Sequence, residues 1–258
     1  MTITQSPDAA RPAVGGDAAR MNRTAQLIAA WCGPVMLLTI LFGLLLGRFL
    51  FPWISPEDSA QQIAHVFQTH TDRIRIALAF TLCGFGMIGV WGVSVAAQTR
   101  RKEGVFPVLT YAQISCMATG TALLMAQSCL WATAAFRPDE VSPETTRMLV
   151  DAGYIMLLAT WVPFAAWNWA LGLSILLDRS GYPVYPRWAG YLCIWAGLCD
   201  IPGNTVWFFK DQPFSWAGYV SLYVPIGAFG VWVVAFSWLT IRNIRGGLVH
   251  EQDLQPGA

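Results

Sequence analysis

The chain predicts an all-α polytopic membrane protein with six transmembrane helices and both termini in the cytoplasm. Three observations carry this. The first is composition: of 258 residues, 55% are hydrophobic and 12% charged, with a mean hydropathy of +0.47. A water-soluble domain carries about 25% charged residues. The second is six long apolar runs, at about 25–50, 74–97, 106–135, 148–177, 188–209 and 214–241, each matching the roughly 20 residues a helix needs to cross a bilayer. The third is charge asymmetry between alternate connections. Arg20, Arg23, Arg100, Arg101, Lys102, Arg179, Arg187, Arg242 and Arg245 fall on one side, and Glu57, Asp58, Asp72, Asp139, Glu140, Glu144 and Asp211 on the other. Basic loops stay cytoplasmic. Arg48, Arg73, Arg75, Arg137 and Arg147 run against the bias, with acids beside some of them.

Residues 1–22 are rich in Pro, Ala and Gly and read as a disordered cytoplasmic tail. The first span follows, with Pro34 as a kink that neighbouring helices can tolerate. Arg48 ends it and reaches for the headgroups, and Trp53 sits at interface depth. Ser55-Pro56-Glu57-Asp58 reads as a helix start, with Ser55 as N-cap and Pro56 at the first helical position. Ala60, Ile63, Ala64 and Phe67 share one face, which predicts an amphipathic helix lying on the outer membrane surface. His65 and His70 fall on different faces of that helix, so they do not make a shared metal site.

The second span carries Gly84, Gly86, Gly89 and Gly92, small residues that let helices approach closely in lipid. The third carries Gln113, Ser115, Gln127 and Ser128, which can bond to neighbouring helices. Ser142-Pro143-Glu144 then repeats the earlier start signal, by duplication or by convergent capping chemistry. The fourth span holds Trp161, Trp167 and Trp169 around Pro163 and Asn168. The fifth and sixth are separated by the passage on which the functional reading centres, DIPGNTVWFFKDQPFSW at 200–216. Residues 246–258 read as a second disordered cytoplasmic tail.

Chemistry inside the spans is sparse. The six cysteines form no CxxC pair, and no histidine lies in a span. Haem, zinc and di-iron readings therefore lack ligands, and no cofactor or metal is called for. No serine-hydrolase or metalloprotease motif is present, so no catalytic residue is assigned. A net charge of +1 gives no electrostatic case for nucleic acid.

Asp200 is the sharpest residue, an acid deep in the fifth run, where a charge costs a few kcal/mol unless paired or wet. Pro202 and Gly203 free backbone groups beside it, and Asn204 adds an amide. One reading is an outward-facing pocket lined by Trp207, Phe208, Phe209, Phe214 and Trp216, with Arg73 and Arg75 as counter-charges. It would bind or pass a hydrophobic or weakly polar small molecule. The other is a structural acid near the headgroups that caps a helix end and holds Arg73 or Arg75. The thirteen tryptophans likewise divide between interface belts, bundle packing and a pocket lining.

The segments SPEDSAQQIAHVFQTHTDRIRI at 55–76, TRRKEG at 99–104, WATAAFRPDE at 131–140, YPRWAGY at 185–191 and PGNTVWFFKDQPFSWAG at 202–218 resemble a family of bacterial six-span integral membrane proteins. The resemblance covers roughly residues 22–245 and implies a multi-pass protein of the bacterial inner membrane. It implies no activity and no site residue. Residues 202–204 are Pro-Gly-Asn where the family resemblance implies a more glycine-rich turn. A structural or accessory subunit of a membrane enzyme complex, with a membrane protein partner, is the expectation from a different class.

Overall fold

The computed structural model describes residues 14–51, 54–211 and 213–246. Among these, every regular element is helical. The α-helices are α1 (Val14–Leu46), α2 (Ala60–Thr69), α3 (Thr71–Arg100), α4 (Val108–Phe136), α5 (Pro143–Ala159), α6 (Trp161–Leu176), α7 (Arg187–Asp200) and α8 (Val224–Arg245). A 3-10 turn, Ile201–Thr205, continues α7, and a π-helical turn, Tyr219–Tyr223, leads into α8. Five segments are long and apolar enough to cross a membrane: Met21–Leu46, Thr71–Arg100, Val108–Phe136, Pro143–Leu176 and Tyr219–Arg245. The outward faces fit the same account. Leu38, Phe42, Val93, Tyr111 and Trp238 are each about half exposed or more, and a water-soluble monomer rarely shows so continuous an apolar surface.

The helices close into a ring. α1 packs on α3, α3 on α4, α4 on α5 and α6, α6 on α7, α7 on α8, and α8 returns to α1. The α1–α3 contact is the most extensive. A Cβ on Gly43 would lie 2.7 Å from the Ala77 carbonyl oxygen, and one on Gly84 would lie 2.5 Å from Ile40 Cγ1. Gly86 and Gly89 have open space around them. Of the four α3 glycines, only Gly84 and Gly92 therefore serve close packing. The ring is filled by three tryptophans with no exposed surface, Trp91, Trp167 and Trp232. Their rings meet pairwise at 5.8, 5.0 and 4.8 Å and at steep angles, which sets positive ring edges against negative faces.

Local chemistry explains the breaks. Pro163 lacks the N–H that would bond to residue 159, and the fourth long helix is interrupted three residues before it, at Thr160, between α5 and α6. Pro225 plays the same part beside the π-helical turn. α1 begins at Val14, so helix extends into the Ala-rich stretch expected to be a tail; alanine has the highest helix propensity. Residues 1–13 and 247–258 of the two expected tails, and Trp53, lie outside the described residues.

α2 forms with the expected buried face, but its cap is Ser59. Ser59 Oγ accepts from Gln62 N, and Gln62 Oε1 accepts from Ser59 N at 2.8 Å. Ser55 instead closes a turn, its N donating to Asp58 Oδ2 at 2.6 Å. Nor does the apolar face of α2 lie on a membrane surface; it packs against α5 and α3. Ser142 caps α5 as expected, with Pro143 in the first turn. Of the polar residues of α4, Gln113 Nε2 bonds across to Thr99 Oγ1 on α3 at 3.3 Å. Ser128 turns back to its own Leu124 carbonyl, and Ser115 is exposed.

α1 ends in a Schellman closure. Phe49 N donates to Leu44 O at 2.9 Å and Arg48 N to Leu45 O at 3.2 Å. Arg48 takes φ 55°, the left-handed conformation in which glycine is the usual residue. A side chain there costs about 1–2 kcal/mol. Replacing Arg48 with Gly is therefore expected to stabilise the fold by about 1 kcal/mol, read as a rise of a few degrees in thermal unfolding in detergent.

Candidate functional site

The DIPGNTVWFFKDQPFSW passage joins α7 to α8 at the end of the bundle away from the Arg100–Lys102 turn. Asp200 closes α7 with 3% of its surface exposed. The amide of Asn168, on α6, lies beside its carboxylate, while Asn168 Nδ2 donates to Phe164 O at 3.1 Å. Gly203 lets the 3-10 turn lie against Trp161; a Cβ there would fall 2.2 Å from Trp161 Cδ1. Ser221 Oγ ties the start of α8 to the same turn, bonding to Pro202 O and Phe214 O.

The other residues singled out in the sequence scatter. Asn204 is half-buried and donates to the Ile201 carbonyl at 3.4 Å. Trp207, Phe208 and Phe209 are 58%, 79% and 48% exposed and form an outward aromatic tip. Phe214 lies at its edge, 5.4 Å from Phe209. Trp216 is buried and stacks on Tyr154 at 5.3 Å and 3°. The guanidinium of Arg75 bonds to the Ala135 and Phe136 carbonyls at 3.0 and 2.8 Å, and to Asp72 at 3.4 Å. Arg73 Nε donates to Leu46 O. Both arginines thus serve the carbonyl ends of neighbouring helices, where a cation complements the helix dipole. In the turn before α2, the Glu57 carboxyl meets that of Asp211. The hydrogen bond between them, with their mutual repulsion, holds Glu57 above the usual carboxylate range.

A cavity of about 600 Å³ lies elsewhere, between α1 and α8. Leu37, Ile40, Leu41 and Leu44 of α1 form one wall, and Ile226, Gly227, Gly230 and Val234 of α8 the other. Phe85 and Ile88 of α3, Leu124 of α4 and Phe164 of α6 form the floor. Thr160 and Trp161, at the α5–α6 break, and Phe49 and Leu50, after α1, complete it. Thr160 spends its hydroxyl on the Met156 carbonyl at 2.8 Å, so the lining presents almost no polarity. Val231 and Val234 are more than half exposed and mark an opening on the outer face of the ring. None of the nine residues named around Asp200 lines this cavity. Its signal in the sequence is Gly227 and Gly230, small residues one turn apart on α8, which leave the gap that larger side chains would fill.

Among the described residues no group of three or more His, Cys, Asp or Glu side chains could hold a metal ion. Compared with protein-family models, with curated proteins and with solved structures, the chain matches none.

Proposed function

We propose that the chain is a six-span protein of the bacterial inner membrane, with both termini in the cytoplasm, that holds a hydrophobic or weakly polar small molecule in the cavity between α1 and α8. The observation that carries this is the cavity itself: about 600 Å³, almost entirely apolar and open on the outer face of the bundle. Ligand pockets run from about 300 to 1,000 Å³ with mainly hydrophobic linings. The sixth crossing is α7 with its 3-10 extension. At 14 residues α7 rises about 21 Å, and the five-residue turn adds about 10 Å. Together these match a hydrocarbon core about 30 Å thick. Six crossings return both ends to one side, and Arg242 and Arg245 then join the Arg100–Lys102 turn there, as the positive-inside rule asks.

Native mass spectrometry of the protein extracted gently from its own membrane tests the reading. A stoichiometric small-molecule adduct is expected, lost in Gly230→Trp, because a Cβ at Gly230 meets open space and an indole there would enter the cavity. In Asp200→Asn the adduct is expected to persist. Loss in Asp200→Asn with retention in Gly230→Trp would move the molecule to the Asp200 turn. A bare monomer, or a complex with a second polypeptide, would overturn the reading in favour of an accessory subunit.

A further inference from the structure

α1 and α8 touch near the end of the bundle that carries the Arg100–Lys102 turn and part toward the other end. In the touching half, a Cβ on Gly33 would lie 2.2 Å from Ser237 Oγ. Arg245 stands over the Trp31 ring at 5.9 Å, and Arg23 Nη2 donates to the Arg245 carbonyl at 3.1 Å. At the far end the two helices are rejoined by rings. Phe51, past the end of α1, meets Tyr223, in the turn before α8, at 6.0 Å, and the lining residues Phe49 and Leu222 there are buried. Between these closures the cavity opens sideways, past Gly227, Val231 and Val234, all exposed. Its deep end stops at the tryptophan triad: the lining residues Phe164 and Phe229 lie 5.8 Å from Trp167 and 5.9 Å from Trp232. From Gly33, which packs against Trp91, to the lining residue Leu44, α1 rises about 16 Å. That is half of a hydrocarbon core about 30 Å thick. The opening is thus a window in the lipid-facing side of the bundle, one leaflet deep and shut toward water.

We propose that the cavity takes one acyl chain of an outer-leaflet phospholipid, which enters through the window between α1 and α8 and ends at the triad. This rests on the reading above that the cavity holds a hydrophobic molecule in a protein of that orientation. The route argues for a molecule that already resides in the bilayer. The depth argues for a chain tethered at the outer interface, because such a chain reaches inward by one leaflet. The lining argues that the chain alone is recognised. Thr160 spends its hydroxyl on the Met156 carbonyl, and Trp161 has its Nε1 on the Gly203 side, 3.1 Å from where a Cβ there would lie. Leaving lipid for this cavity gains no hydrophobic transfer energy, since both are apolar. What the chain supplies is dispersion contact with a lining that would otherwise lack partner atoms.

Phosphatidylcholine with a photoreactive diazirine at the end of one chain is placed with the protein in nanodiscs, and the cross-linked residues are mapped by mass spectrometry. Phosphatidylglycerol with the same labelled chain is run in parallel. Labelling is expected at Phe85 and Leu124, buried lining residues that lipid running over the outward helix faces does not reach. Its yield is expected to be equal for the two headgroups. Gly230→Trp and Gly227→Trp, both at positions where a Cβ meets open space, are expected to cut it by about tenfold or more, the equivalent of two methylenes losing their place. Labelling at the exposed Phe42 and Phe80 is expected to stay. Cross-links confined to outward residues such as Phe42 and Phe80, or a yield that follows the headgroup, overturn the acyl-chain proposal. The hydrophobic-cavity reading then still stands if native mass spectrometry shows a different adduct that Gly230→Trp removes. Labelling of Phe85 and Leu124 that persists in both tryptophan variants, with the adduct retained, overturns the two together.

Discussion

Gly43→Leu is expected to abolish the folded protein, with loss of monodisperse material on size exclusion in detergent. Gly43→Ala is expected to cost about 1–3 kcal/mol. The reason is backbone against backbone. A Cβ at Gly43 would sit 2.2 Å from Thr81 Oγ1, 2.7 Å from Ala77 O and 2.9 Å from Thr81 N. The Thr81 hydroxyl is held on the Ala77 carbonyl at 2.8 Å, so it has nowhere cheap to go. α1 would have to move away from α3, its main packing partner. In a membrane that movement is hard to recover, because lipid is as apolar as the helices and only close packing and hydrogen bonds favour association. Gly86→Leu on α3 is the control: nothing lies within 4 Å of its Cβ, and a surface change of this kind shifts stability by about 0.5 kcal/mol or less. Equal behaviour of the two variants would mean that the α1–α3 seam is not as close as described.

The contrast between Gly43 and Gly86 shows which parts of the fold could be read from the sequence. Long apolar runs place helices because their length and composition have no other stable use. The α2 face at Ala60, Ile63, Ala64 and Phe67 was readable because helical periodicity alone fixes which residues share a side. Which glycine touches a neighbour was not readable, since Gly84 and Gly86 are two residues apart on one helix and point differently. The arginines were opaque for a similar reason. Arg73 and Arg75 are local in sequence, but their partners are carbonyls 27 and 60 or more residues away. Asp200 stood out as an acid in an apolar run, and Asn168 as an amide in another. Nothing in one dimension says that the two meet. The cavity was hidden most completely. Its walls come from several helices, and a gap between surfaces leaves no residue of its own in the sequence beyond small ones such as Gly230.

Trp232→Ala is expected to destabilise the bundle by about 3 kcal/mol, the lower part of the range for burying or losing an indole in a core. Two terms compete. In water, removing a buried tryptophan forfeits its transfer free energy and leaves a cavity. In a bilayer the transfer part is small, because the opened surface meets hydrocarbon rather than water. The packing part remains. Trp232 has no exposed surface and touches Trp91 at 5.0 Å, Trp167 at 4.8 Å, and Phe229 and Phe236 at 5.9 Å each. It is the member of the triad that brings α8 to both α3 and α6. A double-mutant cycle with Trp91→Leu and Trp232→Leu isolates the edge-to-face contact, with an expected coupling of about 0.5–1.5 kcal/mol. Additive effects in that cycle would mean that the perpendicular geometry contributes nothing beyond volume. The triad would then be an apolar filling that any close-packed side chains could replace.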